Sequence, residues 1–271
     1  MLFYPNTIKS FLKLYNFLII NKYDLNKLVI IGNGSNVLAS DKLFNGVVVC
    51  LKKIKDRIRI IKSESNYKII ECYSGVLCNK LSNYLKDNNL TGGEELSTIP
   101  GTIGGVVTMN ASCYDFVASD HVREALVLDN GLIRWLNKDE LEFNYRSSKI
   151  MKSKIIVLKV RFCFYNGDNK KIENKIKELK LKRQLSQPLK EHNAGSVFKN
   201  INNVKAWKLI EECKLKGFKY KNAEVSQKHA NFIINKGDSG DDIYVLMQII
   251  KKIVKKLKNY DLESEWVLIN F

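Results

Sequence analysis

Gly92-Gly93-Glu94-Glu95-Leu96-Ser97-Thr98-Ile99-Pro100-Gly101-Thr102-Ile103-Gly104-Gly105-Val106-Val107-Thr108-Met109-Asn110-Ala111 is the stretch around which the chain is organised. It holds five of the 15 glycines and one of only three prolines. Glycine lets backbone amides approach a ligand with no Cβ between them. From Thr98 to Gly105, small residues and N–H groups precede a short apolar run, the setting in which a turn or helix start holds a pyrophosphate. The same composition also suits a tight turn between buried elements, because Pro-Gly and Gly-Gly pairs punctuate many loops.

Upstream, the apolar run Leu28-Val29-Ile30-Ile31 reads as a short strand and opens into Gly32-Asn33-Gly34-Ser35-Asn36-Val37-Leu38. A strand leading into Gly-x-Gly-Ser-Asn is a second candidate phosphate or ribityl loop, weak by itself. Before it, helical spacing of Ile8, Phe11, Leu12, Leu14, Tyr15, Phe17 and Leu18 predicts an amphipathic helix over 6–21 that lies on a sheet, with Asn6 or Thr7 as cap. Residues 47–51 read as a strand, and 57–62 and 67–73 as a paired hairpin. A helix is expected over 78–88. Asn130-Gly131 marks a tight turn between strands 122–128 and 132–136, and 154–164 reads as another strand. Strands and helices mix without regular βαβ alternation, so the front of the chain is α+β and not a Rossmann half.

Residues 168–186 predict a charged helix with Ile172, Ile176, Leu179 and Leu185 on one side, leading to a boundary near Pro188. Beyond it, helices are expected over 204–214 and 241–259, the latter with the apolar stripe Ile243, Leu246, Met247, Ile250, Val254 and Leu257. Strands are expected over 231–235 and 265–269. The domain reading is 1–166, a connecting helix 167–187, and a second α+β domain 188–271.

At 271 residues, 45% hydrophobic and 10% aromatic, the chain can bury a substantial core. It shows neither a secretory start nor an apolar run near the ~20 residues that span a bilayer, so a cytoplasmic protein with no membrane partner is expected. The net charge of +17 would suit a nucleic-acid partner. Its lysines are scattered, however, and no aromatic-basic module accompanies them, so no nucleic acid is expected. The six cysteines form no C-x-x-C pair, which argues for reduced thiols and no metal site.

Six motifs, in this order, carry a resemblance: Gly32-Asn33-Gly34-Ser35-Asn36; Ile99 to Gly105 with Asn110-Ala111; Tyr145-Arg146-Ser147-Ser148; Ala194-Gly195-Ser196-Val197-Phe198-Lys199-Asn200; Ser226-Gln227-Lys228-His229-Ala230; and Leu262-Glu263-Ser264-Glu265. From about Phe3 to Glu265 the chain resembles the UDP-N-acetylenolpyruvoylglucosamine reductase (MurB) family, shorter type. The resemblance implies an FAD domain of the vanillyl-alcohol-oxidase/PCMH type at 1–166 and a UDP-sugar-binding domain at 188–271. It also implies a monomeric flavin oxidoreductase of peptidoglycan precursor synthesis. NADPH would reduce the flavin, hydride would reach the methylene carbon of the enolpyruvyl ether, and a proton at the neighbouring carbon would give UDP-N-acetylmuramate.

Carried over residue by residue, Arg146 would bind and polarise the substrate carboxylate, Ser196 would donate the proton, and Glu265 would stabilise the enol from the other side. Gly32, Asn33, Gly34, Ser35, Asn36, Leu38, Ile99, Pro100, Gly101, Thr102, Gly104, Gly105, Asn110 and Ala111 would hold FAD. Tyr145, Lys199, Asn200 and His229 would contact substrate. Outside these motifs the ordinary roles would be a surface ion pair for Arg146, a helix cap for Ser196, an exposed strand position for Glu265 and a half-buried strand position for His229. Alternatives are another flavin oxidoreductase of the same fold and a decayed member without flavin.

The chain departs from the family pattern in places. Family chains carry a further N-terminal segment with a Gly-Gly pair, so either the start lies upstream or a sheet element is missing. Asn33 replaces a glycine, tolerable if the position needs positive φ. Ser112, Cys113 and Asp115 replace the usual Gly-Ala-Tyr-Gly surroundings of Tyr114. Lys221-Asn222 replaces a glycine pair, and Val267 a commonly basic residue.

Overall fold

A computed structural model describes residues 1–54, 57–202 and 204–271. The chain forms two compact units, Met1–Asn33 with Asn45–Lys180, and Gly34–Phe44 with Leu181–Phe271. The segment 34–44, read from the sequence as part of the front domain, thus joins the second unit. The cause is a parallel pairing of Val37–Ala39 with Val267–Ile269.

In the first unit, Leu2–Phe3, Val47–Cys50 and Leu28–Ile31 form a small parallel sheet with Val47–Cys50 in the middle. The helix Ile8–Ile20 packs there through Phe11, Tyr15 and Leu18. Thr7 is its cap, and Ser10 N–H and Thr7 N–H exchange hydrogen bonds with the two side-chain hydroxyls at 3.0 and 3.1 Å. A larger antiparallel sheet runs Leu132–Asn137, Val122–Asp129, Ile156–Asn166, Tyr67–Tyr73, Ile58–Ser63, with Leu90–Thr91 on the far end of Ile156–Asn166. One face, through Ile70, Cys72, Val160 and Phe162, buries the helices Cys78–Asp87 and Ile103–Thr108. At its other face, Leu128, Ile156 and Leu158 meet Phe11 and Val49 from the small sheet and its helix.

Asn130 and Gly131 both take positive φ, 47° and 84°, as a two-residue hairpin of right-handed twist requires. The strand expected from residue 154 begins at Ile156 instead. Before it lies the short helix Lys149–Ser153, ended by Lys154 in the left-handed region.

The second unit wraps the helices Ala206–Glu212 and Gly240–Lys258 around a small antiparallel sheet of Lys219–Tyr220, Ala223–Val225 and Ile233–Asn235. Its core joins Leu246, Met247, Ile250 and Val254 to Leu38, Val197, Phe198 and Trp266. The charged helix is Asn169–Ser186. Leu185 and Leu257, expected on buried stripes, are exposed, because each lies in a last turn beyond the surface its helix covers. Among the described residues no helix is long and apolar enough to cross a membrane.

Candidate functional site

The glycine stretch folds as two short helical pieces, Glu95–Thr98 and Ile103–Thr108, separated by Ile99-Pro100-Gly101-Thr102. Buried Glu95 ties the first piece to Lys175 at 2.7 Å. The expectation of free N–H groups across the stretch is corrected in part. Ile103 N–H donates to Val76 O at 2.9 Å and Gly104 N–H to Ser74 O at 2.8 Å, which anchors the second piece on the strand Tyr67–Tyr73 side. The amides of Gly101, Thr102 and Gly105 find no acceptor among the described residues.

Beside this loop opens a cavity of about 230 Å³, lined by Asn33, Leu77, Asn79, Ser97, Thr98, Ile99, Pro100 and Gly101. No carboxylate lines it. The Ser97 hydroxyl is buried there without a hydrogen-bond partner among the described residues, an unmet polar group of the kind that a bound polar ligand satisfies. Asn33 Nδ2 donates to Pro100 O at 2.6 Å and so ties the two glycine loops together. Asn33 itself does not take positive φ; Gly34 does, at 70°. Asn33 therefore stands in for glycine through its side-chain bond and not through a left-handed backbone.

Gly32 is where the backbone of one loop lies against the Thr102 side chain of the other, since a Cβ there would fall on Thr102 Oγ1. A carboxylate-free cradle that mixes apolar walls with spare amides and side-chain amide and hydroxyl groups fits the diphosphate and sugar portion of a dinucleotide. Leu77, Asn79 and Ser97 were not singled out in the sequence. For Ser97 a signal existed, its place inside the glycine stretch; for Asn79 the only signal was a polar residue at a helix start.

The Cys78 thiol beside Gly101 is buried, and burial pushes it up to about 12. It stays protonated and unreactive.

Further along the first unit, Asn144 and Ser147 close a tight turn, with Asn144 N–H to Ser147 O at 2.9 Å and Ser147 N–H to Asn144 O at 3.2 Å. Arg146 occupies its second corner at φ 52°, a conformation unusual for a residue with a long side chain. Its Nη1 donates to Ser112 Oγ at 2.7 Å and Ser112 O at 3.1 Å, and its guanidinium lies 5.6 Å from the exposed Tyr145 ring. Asn110, expected at the cofactor, braces this turn: Nδ2 donates to Asn144 O at 3.0 Å while Oδ1 accepts from Ser119 N–H. Ala111 has its backbone taken up by Val106 O and Ala118 N–H.

In the second unit, the segments that carry Ser196 and Glu265 pair with each other. Ala194-Gly195-Ser196 is shaped by Asn193 Oδ1, which accepts from Gly195 N–H at 3.0 Å. The chain then runs extended: Glu265 N–H donates to Val197 O at 2.8 Å and Lys199 N–H to Glu263 O at 2.9 Å. Ser196 is therefore no helix cap, and Glu265 lies just ahead of the strand Val267–Ile269. Asn36 Nδ2 donates to Glu265 O at 2.9 Å, so Ser35 and Asn36 gather at the same spot. Leu38, expected at the cofactor, has its side chain in the core and pairs with Leu268.

Lys199 is held by Glu263 at 2.5 Å. Asn200 Oδ1 accepts from Ala206 N–H at 3.1 Å, at the start of the helix Ala206–Glu212. His229 lies in a loop and not a strand; burial holds its pKa below the ordinary value, its Nδ1 accepts from Asn231 N–H, and its ring packs edge-on against Phe232. Asn231, unnoticed in the sequence, is buried and pins the extended segment, accepting from Phe198 N–H at 3.0 Å and donating to Phe198 O at 2.8 Å.

Residues 4–137 match a model described as FAD binding domain, and residues 187–269 match the C-terminal domain of UDP-N-acetylenolpyruvoylglucosamine reductase. The reductase of that name from Clostridium tetani is 46% identical over 242 residues, which cover 89% of this chain and 77% of the relative. The chain belongs to the UDP-N-acetylenolpyruvoylglucosamine reductase family. The Clostridium botulinum (strain Eklund 17B) reductase is 40% identical over 263 residues, 96% of this chain and 84% of its own length. The crystal structure of the Thermus caldophilus reductase superposes with a TM-score of 0.80 at 26% identity, covering 99% of this chain and 91% of that one. The reductase family brings FAD to the front of the chain, and the carboxylate-free cradle around Pro100 and Gly101 is consistent with it.

Proposed function

We propose that Arg146, Ser196 and Glu265 carry the substrate half-reaction of this UDP-N-acetylenolpyruvoylglucosamine reductase, an NADPH-dependent FAD enzyme of peptidoglycan precursor synthesis. Once bound and reduced by NADPH, FAD would supply hydride for the methylene carbon of the enolpyruvyl ether. As that carbon becomes a methyl group, negative charge builds on the neighbouring carbon and its carboxylate. A guanidinium forked onto the carboxylate stabilises that charge more in the transition state than in the ground state, which is the role for Arg146. Ser196 then delivers a proton to the carbon bearing the ether oxygen, completing the lactyl ether. A hydroxyl is a weak acid and can act only within hydrogen-bond reach of that carbon. Glu265 holds the enol from the opposite side.

The observation that supports this reading is the hydrogen bond from Glu265 N–H to Val197 O at 2.8 Å, which brings the Glu265 backbone next to the residue that follows Ser196. Gly32, Asn33, Gly34, Ser35, Asn36, Ile99 to Thr102, Gly104 and Gly105 would hold the cofactor. Tyr145, Lys199, Asn200 and His229 would border the substrate. The proposed functional division is an FAD domain at 1–166, a connecting helix at 167–187 and a UDP-sugar domain at 188–271, the segment 34–44 being the part of the first that packs in the second compact unit. The enzyme acts as a cytoplasmic monomer, and its net charge of +17 favours two polyanionic substrates.

Ser196→Ala tests the assignment by stopped-flow absorbance of the flavin. NADPH should bleach the variant at the wild-type rate, while the enolpyruvyl substrate no longer restores the colour. Loss of both half-reactions together, or of neither, removes Ser196 from the role.

A further inference from the structure

We propose that the Ser112 hydroxyl is a positioning residue for substrate reduction: it sets the plane of the Arg146 guanidinium by accepting a hydrogen bond from Nη1. The inference rests on the reading of Arg146 as the carboxylate-binding group.

Its basis is the asymmetry between backbone and side chain at this turn. The backbone of 144–148 is held from several sides, by the two Asn144–Ser147 bonds, by Asn110 Nδ2 on Asn144 O at 3.0 Å, and by buried Ser148, whose Oγ donates to Thr108 O at 2.7 Å. These contacts hold Arg146 at φ 52°, so the root of its side chain is fixed in direction. An arginine still has several rotors beyond Cα, and a fork-to-fork contact with a carboxylate depends on where the plane of the guanidinium points.

Ser112 restrains that plane. Both its oxygens accept from the same nitrogen, Oγ at 2.7 Å and the carbonyl at 3.1 Å. Ser112 is itself fixed in a short hairpin opposite Val117, and the next residue, Cys113, has its Sγ 3.6 Å from Thr98 Oγ1 at the rim of the cavity. The carbonyl contact is open to any residue at 112, but the shorter hydroxyl contact is not. Glycine at this place would keep the 3.1 Å bond and lose the 2.7 Å one.

The test uses FAD-loaded Ser112→Ala, Ser112→Gly and Ser112→Thr proteins, with Arg146→Ala and the Arg146→Ala/Ser112→Ala pair. Flavin content and the rate of bleaching by NADPH should match wild type in all three Ser112 variants. The alanine and glycine variants should lose about tenfold in kcat/KM for the enolpyruvyl substrate, the scale of one hydrogen bond to a charged group. Threonine should restore it to within about twofold. In the Arg146→Ala background, Ser112→Ala should change nothing further, because the group it orients is gone.

If Ser112→Ala and wild type reduce substrate equally while Arg146→Ala does not, the positioning role fails and the reading of Arg146 stands. If Arg146→Ala also reduces substrate normally, the reading beneath it fails first. Loss of flavin or early melting in the Ser112 variants that threonine does not repair makes Ser112 a structural residue and overturns the proposal.

Discussion

Gly32→Ala is the sharpest probe of the cradle. A Cβ at this position would fall on Thr102 Oγ1 and lie 3.2 Å from both Cβ and Cγ2 of the same residue. Thr102 is 2% exposed and β-branched, so it has little room and few rotamers with which to retreat. Overpacking of this kind costs about 1–3 kcal/mol. If the misfit is relieved by parting the two glycine loops, the same energy appears in cofactor affinity as about a five- to 150-fold rise in Kd. Any part relieved by strain in the fold appears in thermal stability, at roughly 2–4 °C per kcal/mol. The assay is flavin retained through gel filtration, read against a melting curve with and without added FAD. Adding Thr102→Ala removes Oγ1 and Cγ2 and should return much of the lost affinity. A Gly32→Ala protein that keeps full flavin and an unchanged Tm would refute the claim that the Thr102 side chain must rest on a bare Gly32 backbone.

Two further outcomes follow from strain and burial. Arg146→Gly removes a left-handed arginine, which costs about 1 kcal/mol, but also its bonds to Ser112, so stability by urea titration should stay within about 1 kcal/mol of wild type while substrate reduction is lost. A large drop in stability would mean that the side chain is there to hold the fold. His121 is stacked between Phe116 and Phe164 at 5.1 and 5.0 Å, and burial keeps its pKa below the ordinary value. The unfolded chain takes up that proton near pH ~6.5 and the folded one only at lower pH. The stability it contributes is therefore full above about pH 6.5 and lost as pH falls through the folded pKa. His121→Phe should flatten that loss in denaturant titrations across acid pH, leaving the part due to His229, which is shifted the same way.

Much of the secondary structure was legible because its signals are local. Leu28–Ile31 is an uninterrupted apolar run, Asn130-Gly131 names its own turn, and Gly240–Lys258 carries Ser239 as cap, Asp241 and Asp242 in its first turn and lysines in its last. Lys149–Ser153 was missed because five residues are too few to show a helical period. At the candidate site, motif residues were readable but their supports were not. Ser112 reaches Arg146, and Asn231 reaches Phe198, across separations of 34 and 33 residues. A serine or an asparagine at such a distance carries no pattern until the chain is folded. The pairing of Leu38 with Leu268 and the bracing of Asn144 by Asn110 were hidden for the same reason, since both are long-range events.

The pairing of Val37–Ala39 with Val267–Ile269 has a bearing on how the molecule is made. Asn36 and Glu265 are 229 residues apart, yet one bonds to the other. On a ribosome, the early strand emerges long before its mate and must wait with an open edge until the final residues are released. A fragment cut near Pro188 would lack that early strand and expose the matching edge at its own end, so the tail alone should aggregate unless a peptide spanning 34–44 is supplied.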